Sequence, residues 1–232
     1  MHRFWERLIK PAMVAVQPGT IVEIGSLTGL TTVKLLEYCR AVEGKCISID
    51  PYPQYDVTVF KAFYKERFEV LEQLSLEALP QIDSCDMLFI DGDHNWYTVY
   101  HELKQAERIA KLQGRFPVIV LHDTQWPYGR RDMYYQPDNI PDEHRKPHAK
   151  RGIEPGQSEL LEFGGFNCTV DNALFEKGER NGVLTAVEDF MQETEYPLQF
   201  KQALSNNGLG FLYPRDKKMD AIISYLIETS GL

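Results

Sequence analysis

Short apolar runs alternate with amphipathic stretches through the first half of the chain. The runs predict strands at residues 20–24, 46–50, 68–71, 86–91 and 117–122, each bounded by turn-forming residues. Helical spacing of apolar positions fills the gaps, most clearly at residues 57–67 and 97–112. Strands that alternate with helices of this length indicate an α/β protein with a mostly parallel sheet. Right-handed crossovers place ligands along the carboxyl ends of such strands.

The two ends of the chain continue the same pattern. Residues 1–18 predict a helix in which Phe4 and Trp5 look exposed, so it either covers its own sheet or packs on a partner subunit of a homo-oligomer. Near the other end we expect a helix at 182–192, strands at 198–203 and 210–213, and a closing helix at 217–228. The Asn206-Asn207-Gly208 segment is a turn signal between those strands.

The periodic pattern stops after Thr124. Residues 125–181 are rich in Pro, Gly, Arg, His and Tyr and contain no long periodic segment. A loop of this length is typically either disordered or functional, and its many aromatic residues argue against disorder. We interpret it as an ordered lid or substrate-binding insertion within one domain that spans residues 1–232.

Composition narrows the class of protein. A chain of 232 residues with 43% hydrophobic residues is enough for one large domain, and the net charge of -9 argues against nucleic-acid binding. No apolar run is long enough to span a membrane, and no signal-peptide layout is present, so we expect a cytoplasmic protein. The four cysteines form no C-x-x-C pair, which is typical of a reduced compartment without a zinc site.

The segment around residues 21–29 carries the strongest chemical signal. A buried strand runs into a turn with Gly25 and Gly29, a helix follows, and the next strand ends at Asp50. Glycines let a ligand approach the backbone, and an acid at this spacing suits a ribose diol. The residue in place of a dinucleotide motif's middle glycine is Leu27, which disfavours a pyrophosphate. We expect Ser26 or Thr28 to cap the helix that follows the turn.

Three segments together resemble one known family. They read Val-Glu-Ile-Gly-Ser-Leu-Thr-Gly at 22–29, Phe-Ile-Asp-Gly-Asp-His at 89–94 and Val-Leu-His-Asp-Thr at 120–124. This set resembles class I S-adenosylmethionine-dependent methyltransferases, in particular macrolide-sugar O-methyltransferases and relatives of cephalosporin-pathway methyltransferases. The resemblance implies a Rossmann-like, seven-stranded, mostly parallel sheet with helices on both faces and an antiparallel terminal strand. It also implies that S-adenosylmethionine is the cofactor.

The resemblance assigns roles to individual residues. It implies that Gly25, Ser26 and Gly29 line the methionine and ribose and that Asp50 accepts from the ribose hydroxyls. Glu23 would steady the loop, and Ser75 would lie near the adenine. Asp91 belongs to the same cofactor-binding set.

Five ionisable residues follow two neighbouring strands: Asp91, Asp93, His94, His122 and Asp123. A hydroxyl acceptor must lose its proton or bind a metal, so we predict His94 as the general base, with Asp93 beside it. By resemblance, Asp91 and Asp123 would bind Mg²⁺, with Asp93 as a third candidate. His122 departs from that pattern, since imidazole favours softer ions. The alternatives are that the two acids cap helices and that His122 is a buried structural histidine.

The remaining site predictions concern the acceptor. We expect substrate contacts from His122, Trp126, Tyr128, Arg130 and Arg131, and we interpret residues 145–151 as a solvated loop. The leading hypothesis is O-methylation of a small-molecule hydroxyl, on a sugar or natural product. The alternatives are an inactive methyltransferase-like binding or scaffold protein and, less favoured because of Leu27, a nicotinamide-dependent oxidoreductase.

Overall fold

A central seven-stranded sheet organises the computed structural model, which describes all 232 residues. In chain order its strands are β1 (Thr20–Ile24), β2 (Lys45–Ile49), β3 (Phe68–Leu71), β4 (Met87–Ile90), β5 (Val118–His122), β9 (Leu198–Ala203) and β10 (Leu209–Pro214). Their spatial order is β3-β2-β1-β4-β5-β10-β9. The first five strands are parallel, whereas β10, the last strand of the chain, runs antiparallel to β5 and β9. The predicted fold class is therefore confirmed.

Helices cover both faces of this sheet. They are α1 (Lys10–Val16), α2 (Leu30–Val42), α3 (Val57–Tyr64), α4 (Ser75–Ala78), α5 (Trp96–Gln113), α6 (Val183–Glu193) and α7 (Lys217–Ser230). Successive residues of β1 show why the strands are apolar throughout. Ile21 enters the core beside α2, and Val22 enters the opposite core beside α5 and α6. A parallel strand buried on both faces carries no polar alternation.

The amino-terminal segment packs on this chain's own sheet. A 3₁₀ turn (His2–Phe4) and a π-helical turn (Trp5–Ile9) lead into α1, so the predicted helix is present but irregular. Phe4 is fully buried and Trp5 is 7% exposed, both within the core that also contains α2. The expectation that these two side chains are exposed was wrong. Of the two alternatives, the structure shows the helix covering its own sheet.

The insertion is ordered and has a small sheet of its own. Strands β6 (Met133–Tyr134), β7 (His148–Lys150) and β8 (Asp171–Ala173) pair antiparallel in the order β6-β8-β7. The interpretation of residues 145–151 as a solvated loop was wrong for β7, because β7 and its partner β8 are three residues long each, too short to leave a periodic signal. All four cysteines are free thiols, three of them buried. None of the helices combines the length and apolar character required to cross a bilayer.

Candidate active site

The glycine turn joins β1 to α2. Gly25 has φ +82°, and a Cβ there would collide with the backbone carbonyl of Asp91 at the end of β4. Gly29, with φ +77°, precedes the first turn of α2, which no side chain caps. The predicted cap by Ser26 or Thr28 was wrong, because the Ser26 hydroxyl instead donates to Asp50 at 3.2 Å.

Asp50 ties this turn to the end of β2. Its Oδ2 accepts the backbone N–H groups of Ser26 at 2.9 Å and Leu27 at 2.8 Å. Its Oδ1 accepts the N–H of Tyr52 at 2.8 Å. The acid therefore fixes the shape of the loop as well as facing the cavity, a role that the motif spacing did not reveal.

A cavity of about 300 Å³ opens at the carboxyl ends of β1, β2 and β4. Five residues predicted for the site line it: Gly25, Asp50, Ser75, Asp91 and Asp93. Glu23, Ser26 and Gly29 do not line it, since they lie behind or beyond the turn. The cavity is also lined by residues that were not predicted for it: Leu27, Tyr52, Gln54, Tyr135, Gln136 and Asn139. The last three come from the insertion, where no motif marks them.

Glu23 supports the turn from within the core. It is 2% exposed, and its Oε2 accepts the Thr32 hydroxyl of α2 at 2.7 Å, whereas Oε1 has no partner. Burial raises the pKa of Glu23 to about 8. The side chain is therefore largely a neutral acid at neutral pH, and it fastens α2 to β1.

The ionisable residues after β4 and at the end of β5 meet in one cluster. Nδ1 of His122 lies 3.0 Å from Asp91 Oδ1 and 2.7 Å from Asp123 Oδ2. Nε2 of His94 lies 2.8 Å from the same Asp123 oxygen. The amino group of Met1 lies 3.0 Å from Asp91 Oδ2. Sequence reasoning placed these four side chains together correctly, because neighbouring parallel strands end at the same edge.

The cluster shifts the proton affinities of its members. Burial alone would lower the pKa of His94, but the carboxylate of Asp123 more than offsets this and raises it to about 9. Burial would likewise lower the pKa of His122, and the carboxylate of Asp91 raises it above its ordinary value. Burial would raise the pKa of Asp123, yet His94 and His122 hold it well below its usual range. At this pKa the His94 imidazole is mostly protonated at neutral pH, unlike a free histidine.

Neither acid of the cluster caps a helix. Asn95 fills that role for α5 by accepting the N–H of Thr98 at 2.8 Å. Asp123 has φ +57°, is 3% exposed and keeps Oδ1 without any hydrogen-bond donor. A non-glycine residue in left-handed backbone with an unpaired buried oxygen is a strained arrangement, of the kind that clusters at functional sites. Asp93 lies at the cavity wall with its Oδ2 3.4 Å from the Thr98 hydroxyl, and burial raises its pKa.

Two of the predicted substrate residues stabilise the insertion instead. Arg131 is 1% exposed and donates to the backbone carbonyls of Ala173 at 2.5 Å and Ser158 at 2.6 Å. Arg130 forms a two-bond ion pair with Glu188 of α6. Both guanidinium groups are bonded within the protein and neither lines the cavity, so their predicted contact with the acceptor stays a prediction that this geometry does not favour.

The two aromatic side chains that were predicted to contact the acceptor lie at different distances from the site. Trp126 stacks near Phe166 with ring centroids 5.6 Å apart, away from the cavity lining. Tyr128 is 2% exposed, and its hydroxyl accepts from Asn167 at 2.6 Å. Its ring centroid nevertheless lies 5.7 Å from that of His94, and that of Tyr135 lies 6.3 Å from it on another side. His94 is therefore enclosed by the insertion.

Comparison with known proteins agrees with this architecture. Residues 22–124 match the family described as "Methyltransferase domain". An O-methyltransferase from Aspergillus hancockii, hkm8, is 28% identical over 106 residues, which is 44% of this chain. The match spans only 42% of that relative's length. The segment that forms β1 to β5 therefore matches a methyltransferase family, and the predicted resemblance to class I S-adenosylmethionine-dependent methyltransferases is confirmed at the level of that family.

Solved structures share the whole fold at low identity. The S-adenosylhomocysteine-bound methyltransferase PaMTH1 of Podospora anserina has a TM-score of 0.51 and 13% identity, with 89% of this chain and 77% of that chain covered. TomG of Streptomyces achromogenes, an O-methyltransferase involved in tomaymycin synthesis and solved with S-adenosylmethionine, has a TM-score of 0.50 and 14% identity. That alignment covers 89% of this chain and 78% of TomG. At such identity the likeness establishes the fold alone.

Proposed function

We propose that this protein transfers a methyl group from S-adenosylmethionine to a hydroxyl of a small molecule. The observation that carries the proposal is the juxtaposition of two features at one sheet edge. A cavity walled by Gly25 and Asp50 lies directly beside the His94–Asp123 pair. The first feature suits a nucleoside, and the second suits proton removal from a hydroxyl.

The cofactor fits the residues of the cavity. Bound S-adenosylmethionine supplies an electrophilic methyl on a sulfonium, so its binding site gains from negative charge. Asp50, Asp91 and Asp93 all face the cavity. Gly25 has no side chain, so a ligand can approach the backbone closely there. Ser75 lies at the cavity wall beyond β3, where we place the adenine. We keep Ser26 and Gly29 as residues that shape the turn rather than as direct contacts.

His94 is the proposed general base, held in place by Asp123. Asp123 both orients the imidazole and stabilises the imidazolium that forms when His94 takes the hydroxyl proton. Because the pKa of His94 is raised to about 9, only its neutral fraction can act as the base, so we expect the rate to rise as pH increases towards 9. Positioning the acceptor in line with the methyl group supplies the remaining acceleration. We assign that positioning to the ring of Tyr135, which lines the cavity, with Tyr128 packed behind His94; this makes the insertion a lid over the acceptor.

Magnesium does not fit the cluster. Mg²⁺ takes oxygen ligands in near-octahedral geometry, whereas His122 places an imidazole nitrogen between the two carboxylates that would hold the ion. No step of the proposed reaction therefore runs through Mg²⁺.

The class of acceptor, a sugar or another natural product, follows from the family resemblance. The buried free cysteines accord with the cytoplasm, where we place the protein.

Methyl transfer is tested with isotopically labelled S-adenosylmethionine and a panel of sugars, phenols and other hydroxyl compounds. We expect a product heavier by one methyl group, and a rate about 10²–10⁴-fold lower in His94→Gln. Wild-type protein that binds the cofactor and methylates nothing in the panel would favour the scaffold alternative. Co-purification of a nicotinamide cofactor would favour the oxidoreductase.

A further inference from the structure

One buried acid of α5 has no bonding partner. Glu102 is fully buried, and neither Oε1 nor Oε2 has a hydrogen-bond partner. Burial raises the pKa of Glu102 to about 8, so at neutral pH the side chain is mostly a neutral carboxylic acid. Such an acid carries one O–H donor and a carbonyl acceptor that both need partners. Because an unpaired buried polar group destabilises the fold, the presence of this one needs an explanation.

Glu107, on the same helix, shows how a buried glutamate is ordinarily stabilised. Its carboxylate accepts from Lys104 Nζ at 2.5 Å and from the Thr194 hydroxyl at 2.8 Å. Burial would raise the pKa of Glu107, but these bonds more than offset it and lower the pKa. Glu102 has no such pair of partners. An ion pair within the core therefore does not explain why an acid occupies position 102.

Glu102 lies directly behind the wall of the cavity that we assign to the cofactor. Ser75 and Asp93 both line that cavity. Apart from burial, they are two of the groups that act on the Glu102 carboxyl: the Ser75 hydroxyl lowers its pKa, and the Asp93 charge raises it. Ser75 begins α4, which packs on α5. Glu102 itself does not line the cavity, so it can act on a ligand only through a side chain of the wall.

We propose that Glu102 is a positioning residue that orients the Ser75 hydroxyl, so that the cavity selects adenine over other purine bases. The Glu102 O–H donates to Ser75 Oγ, which leaves the Ser75 O–H free to donate into the cavity. A donor at that point pairs with an accepting ring nitrogen, which adenine offers, and not with a ring N–H. The inference deepens the proposed function and rests on it, because the adenine is that of S-adenosylmethionine.

The alternative is that Glu102 only fills space in the core. The two explanations make opposite predictions for Glu102→Met, which keeps the length of the side chain but has no polar oxygen. Space filling predicts unchanged cofactor binding. Under the proposal, Glu102→Met binds the cofactor less tightly and less selectively, although the loss of an unpaired buried acid leaves the fold as stable as the wild type or more stable.

The test is calorimetry with S-adenosylhomocysteine and with S-inosylhomocysteine, whose base has a ring N–H and a carbonyl where adenine has a ring nitrogen and an amino group. We expect the wild type to prefer S-adenosylhomocysteine by at least about tenfold. In Glu102→Met the affinity for S-adenosylhomocysteine should fall about 3–10-fold, and most of the preference should disappear. Glu102→Gln keeps a donor and an acceptor, so its affinities should stay within about threefold of the wild type.

Glu107→Gln is the matched control, because it changes another buried glutamate of α5 and should keep the wild-type preference. Ser75→Ala tests the same pair without altering the core, so it decides the matter even if Glu102→Met does not fold. It should lose the preference as Glu102→Met does. A wild type that binds both compounds equally, or a Ser75→Ala or folded Glu102→Met protein that keeps the preference, would overturn this inference alone. A wild type that binds neither compound would contradict the proposed function as well.

Discussion

The segment that forms β1 to β5 and the insertion at residues 125–181 enclose the same site but are held together by different forces. The first is built from strands buried on both faces, and its functional groups sit where those strands end. The insertion has only a small core around Tyr128, Met133, Ile153 and Leu160 and relies on buried polar groups such as Arg131. The groups that we propose as catalytic thus come from the rigid part, whereas the part that encloses them depends on hydrogen bonds.

The largest effect is expected in the rigid part, at Glu23. Its pKa is raised from 4.5 to about 8, so between these values the folded chain holds a proton that the unfolded chain has released. The contribution of Glu23 to stability therefore falls as pH rises, by up to roughly 4–5 kcal/mol. Glu23→Gln should gain stability relative to the wild type as pH rises from 5 to 8, measured by urea unfolding. If the difference in unfolding free energy between Glu23→Gln and the wild type did not change with pH, the raised pKa of Glu23 in the folded chain would be contradicted.

A more local effect, confined to the insertion, is expected at Arg131. Arg131→Met removes two charge-assisted bonds to backbone carbonyls, which are worth roughly 1.5–3 kcal/mol each. Hydrogen exchange should accelerate across residues 130–175, while β1, β4 and β5 stay protected. Equal acceleration in the central sheet would mean that the two regions unfold as one unit.

Arg130 should give the smallest effect. Its ion pair with Glu188 is part-exposed, so Arg130→Met should cost no more than about 1 kcal/mol in unfolding free energy. This variant is also the control for Arg131→Met, since both remove one arginine from the same loop. A larger loss of unfolding free energy in Arg130→Met than in Arg131→Met would contradict our claim that the buried arginine contributes more to the stability of the insertion.

The same contrast explains how much the sequence could predict. Strands β1 to β5 and the turn at Asn206-Asn207-Gly208 follow from local pattern, and the strand-end cluster follows from parallel topology. The roles of Arg130 and Arg131 were not predictable, because their partners lie 27–58 positions away. Gln136 and Asn139 reach the cavity through tertiary packing, and the raised pKa of His94 depends on a carboxylate 29 positions along the chain.

The most direct test of the central claim is calorimetry with S-adenosylmethionine and S-adenosylhomocysteine on the wild type and Asp50→Ala. We predict binding of one cofactor per chain at tens of micromolar or better. In Asp50→Ala the affinity should fall at least tenfold, because the variant loses both the proposed ribose acceptor and the bonds that shape the Gly25 turn. Absence of binding to the wild type, or equal binding by Asp50→Ala, would contradict the account.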